Sequence, residues 1–102
     1  MNAAVSLRLL SAEQELGLQA SYPRLIPVLM GRGLGLSDAA AVAYNATLLS
    51  LALPADPPFK GGRGVLRRLS LVEIAELCEE YCRMEHGEVE HCINDAYREE
   101  SP

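Results

Sequence analysis

Tryptophan is absent from this 102-residue chain, phenylalanine occurs once and tyrosine four times. Any core must therefore be built from leucine, valine, isoleucine and alanine, side chains that suit helix-on-helix packing. Long apolar runs are lacking too. The uncharged stretch 39–55 is diluted by Asn45, Thr47 and Ser50 and falls short of the roughly 20 apolar residues a membrane span needs, so no membrane association is expected. Residues 1–11 lack the basic start and continuous apolar stretch of a secretory signal, which places the expectation in the cytoplasm. An even set of cysteines is also missing. Cys78, Cys82 and Cys92 are three, all in the last quarter, unlike a secreted disulfide framework, and they read as free thiols. No internal repeat or low-complexity tract is present.

Apolar residues make up 49% of the chain and charged residues 23%, a globular balance rather than a disordered one. The length suits one modest core. The reading is an all-α fold, a small single-domain bundle of four to five short helices over 1–102, with 1–10 and 98–102 as tails without fixed structure. Charge is divided along it. Residues 1–72 carry seven basic against four acidic side chains, and residues 73–102 carry two against ten. The net charge of −5 thus hides a basic middle, with Lys60, Arg63, Arg67 and Arg68 close together, and an acidic end.

Helix signals follow in order. Ser11 ahead of Glu13, Gln14 and Glu15 predicts a start, because a serine oxygen accepts from free amides and early carboxylates suit the helix dipole; this first helix is expected over 12–20, weakened by Gly17 and stopped at Tyr22 by Pro23. Leu25, Ile26, Leu29 and Met30 share a face, but Pro27 limits them to a short piece. Gly31, Gly33 and Gly35 form a connector, after which Ser37-Asp38 offers an N-cap for a helix over 38–53. Its expected inner face is Ala39, Val42, Ala46, Leu49 and Leu53. Because Ala41, Leu48, Leu51 and Ala52 make the other side apolar as well, this helix is either the central one or covered in part by a partner. Pro54, Pro57, Pro58, Gly61, Gly62 and Gly64 predict an extended linker, and Val65, Leu66 and Leu69 a short basic helix. Ser70-Leu71-Val72-Glu73 is a capping box. The helix it opens has an apolar stripe of Ile74, Leu77, Cys78, Tyr81 and Cys82, with Gly87 where a glycine cap belongs. Residues 88–99 predict a last helix, or a segment that folds on a partner.

Candidate chemistry is thin. Cys78, Cys82, His86, His91 and Cys92 are zinc-ligand types, but the first three lie on successive turns. At 1.5 Å per residue they spread over roughly 12 Å, too far to surround one ion. Core thiols and surface histidines are the simpler account, and neither metal nor cofactor is expected. The glycine clusters follow no strand and end in no Gly-Lys-Ser/Thr, so they read as turns rather than a phosphate loop. No nucleophile lies beside a base, and an enzyme is not expected. The basic cluster leading into 69–77 resembles the opening of a helix-turn-helix reader, yet a recognition helix needs Arg, Lys, Asn or Gln at the bases and the downstream segment is acidic. Nucleic acid is not the expected partner.

Asn45-Ala46-Thr47-Leu48-Leu49 with Ala52-Leu53, then Pro58-Phe59, the glycine linker, Val65-Leu66, and Leu69-Ser70-Leu71-Val72-Glu73-Ile74 with Leu77 are similar in order to small prophage tail assembly proteins, described as tail assembly chaperones. Leu9-Leu10-Ser11-Ala12 adds a weaker match. The segment 22–30 and the cysteine-bearing tail depart from that pattern. The resemblance implies a non-catalytic protein that holds helical segments of the tape measure protein during tail assembly. On this reading the helix after Ser37 and the helix after Ser70 form an apolar groove, with Val42, Leu48, Leu49, Leu51, Phe59, Leu66, Ile74, Leu77 and Tyr81 as partner contacts. A homo-oligomer is compatible with it. A small helix-turn-helix regulator is the alternative function, and a zinc-stabilised helical module the third.

Overall fold

A computed structural model describes the backbone of residues 7–100 and the side chains of residues 7–87. Among them there is no strand. The elements are α1 (Ala12–Ser21), a 3-10 turn (Tyr22–Leu25), α2 (Ile26–Met30), α3 (Leu36–Ala52), α4 (Gly61–Arg68) and α5 (Leu71–Glu100). The expected small all-α bundle is what forms.

Local chemistry accounts for most boundaries. Ser11 Oγ accepts from the Gln14 amide at 3.2 Å while Gln14 Oε1 accepts from the Ser11 amide at 3.0 Å, a full capping box at the head of α1. α1 ends at Ser21, within a residue of the expected stop, but Pro23 does not force the chain out of helical angles there. Tyr22 keeps helical angles of −61° and −32°, and Pro23 and Pro27 each fall in the first turn of the next element, where a missing N–H leaves no bond unmade. Packing supports this geometry, since the Tyr22 ring meets Tyr44 edge-on with centroids 5.2 Å apart. Ahead of α3, Gly33 turns the chain at φ 107°, a region open chiefly to glycine.

α3 begins two residues earlier than expected. Gly35, not Ser37 or Asp38, occupies the N-cap position, and Asp38 serves the first turn as a carboxylate near the free amides. Of the two readings of this helix, the central one holds. α1, the 3-10 turn, α2, α4 and α5 all pack on it. Two clusters result. Leu25 and Leu29 meet Ala39 and Ala43 at its first half. Leu10, Leu18, Val65, Ile74, Cys78 and Tyr81 meet Ala46, Leu48, Leu49 and Ala52 at its second. Alanines at 39, 43 and 46 keep that surface shallow enough for close neighbours.

α4 takes in the glycines expected to belong to the linker, starting at Gly61 with φ 66°. Backbone approach explains this: a Cβ on Gly62 would stand 2.8 Å from Thr47 Oγ1 and 3.1 Å from Thr47 N. The Pro-rich linker before it is held by Arg68, which donates to the Pro57 carbonyl at 2.6 Å and lies 4.4 Å over the Phe59 ring.

The capping box of α5 is formed as the sequence predicts, with Ser70 N–H to Glu73 Oε1 at 2.8 Å and Glu73 N–H to Ser70 Oγ at 3.1 Å. Gly87 does not end the helix. Its flanks are good helix formers, its Cβ position is open, and the backbone runs on to Glu100. The expected separate last helix is thus a continuation of α5, about 45 Å long at 1.5 Å per residue, against cross-sections of 30 and 24 Å for the molecule.

Of the expected loose tails, residues 1–6 and 101–102 lie outside the described residues, and 98–100 are helical backbone. Leu7 to Leu10 belong to the body. Arg8 N–H bonds the Ala52 carbonyl at 2.9 Å, and Leu10, buried in the core, donates its amide to Tyr81 Oη at 2.9 Å.

Candidate protein-binding surfaces

α3 and α5 are in contact. Cys78 Sγ points at the Asn45 carbonyl, 3.7 Å away, while Tyr44 and Glu85 border one small cleft. The two helices therefore pack on each other, and much of the expected groove is their shared interior. Leu48, Leu49, Ile74 and Tyr81 are 4%, 0%, 2% and 3% exposed, so a partner cannot reach them without opening the bundle. Val42, Phe59, Leu66 and Leu77 are half-buried against the core. Leu51 alone of the nine is classed as exposed.

Other apolar side chains face solvent instead. Leu71 and Val72, in the first turn of α5, are 58% and 67% exposed, and Leu9 and Leu51 are each 39% exposed. Leu71 and Val72 are neighbours on the outer side of that turn. Leu9 and Leu51 flank the Arg8–Ala52 bond at the end of α3. Sequence periodicity passes over Leu71 and Val72 because they precede the buried stripe and belong to the capping box. Their one visible signal is an apolar pair at helix positions that point outward.

A second surface is basic. Arg63 and Arg67 of α4 and Arg32, from the turn after α2, border a cleft of about 90 Å³ floored by Val28 and Leu66. Arg63 also borders a wider neighbouring cleft, about 310 Å³, with Arg24 and Lys60. Arg24 and Arg32 stand far from the basic cluster in sequence, and only the fold of α2 onto α3 beside α4 joins them to it. No family model, curated protein or solved structure matches this chain. The surfaces must therefore be judged on their own chemistry.

The thiols are separated in character. Cys78 is buried, and desolvation followed by neighbouring Cys82 pushes its thiol from 9.0 up to about 12, while Cys82 is exposed. Among the described residues no three His, Cys, Asp or Glu side chains gather in a form that would hold a metal; the side chains of His91 and Cys92 lie outside them. Iodoacetamide is expected to modify Cys82 in the native protein and Cys78 only after denaturation, as peptide mass mapping will show. The folded state also holds the Cys78 proton more tightly than the unfolded chain. As pH rises, the unfolded state ionises first, so stability present below pH 9 is lost between about 9 and 12. Replacing Cys78 with valine is expected to flatten that alkaline loss in urea titrations. Tyr44 and Tyr81 act in the same direction, raised first by burial and also by Glu85.

Among the described residues, no helix is long and apolar enough to cross a membrane.

Proposed function

We propose that this chain is a non-catalytic adaptor that binds another protein, of the phage tail assembly chaperone kind, receiving an amphipathic helical segment of a tail protein such as the tape measure. The observation that supports it is the exposed apolar pair Leu71 and Val72 at the head of α5, with Leu9 and Leu51 exposed beside the end of α3. Water contact at large apolar side chains is unfavourable, and such patches mark sites where a partner covers them. Three of the four fall inside segments that carry the resemblance to tail assembly proteins. The charged rim opposes indiscriminate association: Glu76, Glu79, Glu80 and Arg83 are exposed along α5, with Arg83 bridging Glu79 and Glu80.

Helix-turn-helix reading of duplex DNA is less well supported. The first turn of α5 displays Leu71, Val72 and Glu73 where base-reading cations would have to stand.

The test is co-expression with a phage tape measure protein. Co-purification is expected with the wild-type chain and is expected to fall at least about tenfold for Leu51→Asp/Val72→Asp, equivalent to about 1.4 kcal/mol or more of lost binding. The variant should melt like the wild type, since exposed substitutions typically shift stability by within about 0.5 kcal/mol. Equal recovery with both chains, or salt-sensitive binding to duplex DNA with no tail protein retained, would sink the proposal.

A further inference from the structure

The basic clefts have a charge arrangement that the free protein gains nothing from. Arg63 and Arg67 are one turn apart on α4, a spacing at which like charges repel. Lys60 and Arg63 stand at the N-terminal end of that helix, where the dipole is already positive. Arg32 is added from across the cleft and Arg24 from the adjoining one. Among the described residues none of these five cations is within ion-pair distance of a carboxylate; the ion pairs present belong to Arg83.

We infer that this strip is a carboxylate-binding site, and that it takes an acidic segment of the partner protein. The inference rests on the protein-binding reading above and adds what the partner must carry. Four of the five cations are arginines, whose planar forks hold a carboxylate through two parallel hydrogen bonds. Val28 and Leu66 supply an apolar floor beside three of them, suited to the methylene stem of a glutamate or to an apolar neighbour on the same helix. Two clefts joined at Arg63 accept two anionic groups in series. Nucleic acid fits less well. A duplex carries a charge every ~1.7 Å along its length, so it overruns a strip this short. The chain that follows α4 is acidic from Glu73 on, which opposes a phosphate backbone further. A short acidic segment of a protein ends within the strip.

The experiment uses the full chain and fluorescence anisotropy. The labelled probes are a helical peptide with glutamates one turn apart beside leucines, the same peptide with lysine in place of glutamate, and a short DNA duplex. Unlabelled inorganic phosphate is the competitor. The glutamate peptide is expected to bind at low salt and to weaken about tenfold or more in Arg63→Glu/Arg67→Glu, with little change in melting temperature because both side chains are exposed and exposed substitutions shift stability little. Binding is expected to weaken similarly at high salt. Equal binding of both peptides would overturn the inference, as would an unchanged affinity in the double variant. Binding of the duplex in preference to the glutamate peptide would overturn it too, as would displacement of that peptide by millimolar phosphate; these results would assign the strip to phosphate. The outcomes remain separable from the adaptor proposal. Retention of the tail protein by Arg63→Glu/Arg67→Glu, equal to wild type, overturns the acidic contact and leaves the apolar one standing. Loss of retention in Leu51→Asp/Val72→Asp without loss of peptide binding shows two independent surfaces, supporting both.

Discussion

Leu49→Ala is expected to lower the unfolding free energy by about 2 to 5 kcal/mol, the range for truncating a fully buried leucine. Leu49 has 0% exposure and sits where α3 meets α4 and α5, in the cluster with Leu18, Val65, Ile74 and Tyr81. The surrounding frame cannot collapse easily into the void. One side of it is the α3 backbone itself, and the other is tied by the Tyr81 hydroxyl to the Leu10 amide. A domain of this size has a total stability of roughly 5 to 15 kcal/mol, so a substantial unfolded fraction near physiological temperature follows from the upper part of that range. Urea titration checks the value. Leu51→Ala, two residues away and exposed, is the matched comparison and is expected to change stability by less than about 0.5 kcal/mol. The pair separates two roles that the sequence reading merged. If Leu49 were a partner contact, its truncation would spare the free protein and weaken only the complex.

That merger shows where sequence patterning stops. The helices themselves were legible because capping chemistry is local: Ser11 and Ser70 each need a side chain three residues on, and both pairs close as boxes. The central position of α3 was legible as one of two options, because an apolar surface all round must be covered by something. What covers it was not. Periodicity says which face of α3 is apolar, not that α5 lies on the second half and α2 on the first. The faces assigned to a partner groove therefore turned out to cover each other. Glycine misled in two directions. Gly87 looked like a terminator, but a glycine ends a helix only if the chain can leave it, and the residues around it favour continuing. Gly61, Gly62 and Gly64 looked like linker, whereas Gly62 is inside α4 because α3 leaves no room for a Cβ. Arg24 and Arg32 carried no local signal at all, since their connection to Arg63 and Arg67 exists only in three dimensions.

Gly62→Ala provides the sharpest check on that packing, because helix propensity and tertiary fit pull in opposite directions. In an exposed helix interior, alanine is favoured over glycine by about 0.8 to 1 kcal/mol. Gly17 in α1 and Gly87 in α5 have nothing within 4 Å of a built Cβ, and Gly17→Ala and Gly87→Ala are each expected to raise stability by roughly that amount. At Gly62 the Cβ would meet Leu25 Cδ1 at 2.5 Å, Thr47 Oγ1 at 2.8 Å and Thr47 N at 3.1 Å. The leucine methyl can swing aside at some cost to its cluster. Thr47 cannot, because its hydroxyl donates to the Ala43 carbonyl at 2.8 Å and its amide is part of the α3 backbone. α4 must then move away from α3, loosening Val65, which is 0% exposed. Overpacking of this kind costs about 1 to 3 kcal/mol, enough to cancel the propensity gain and exceed it across most of that range. Melting temperature reads the sign directly, at about 4 to 8 °C per kcal/mol for a domain near this size. A rise for Gly62→Ala equal to that of Gly17→Ala would mean that α4 does not press on Thr47. The same displacement bears on binding. Gly62 and Thr47 border the cleft of Arg24, Lys60 and Arg63, so moving α4 outward separates the cations contributed by different elements. Gly62→Ala should therefore weaken the glutamate peptide as well as the fold, whereas Leu49→Ala, examined at a temperature where it remains folded, should leave the basic strip intact.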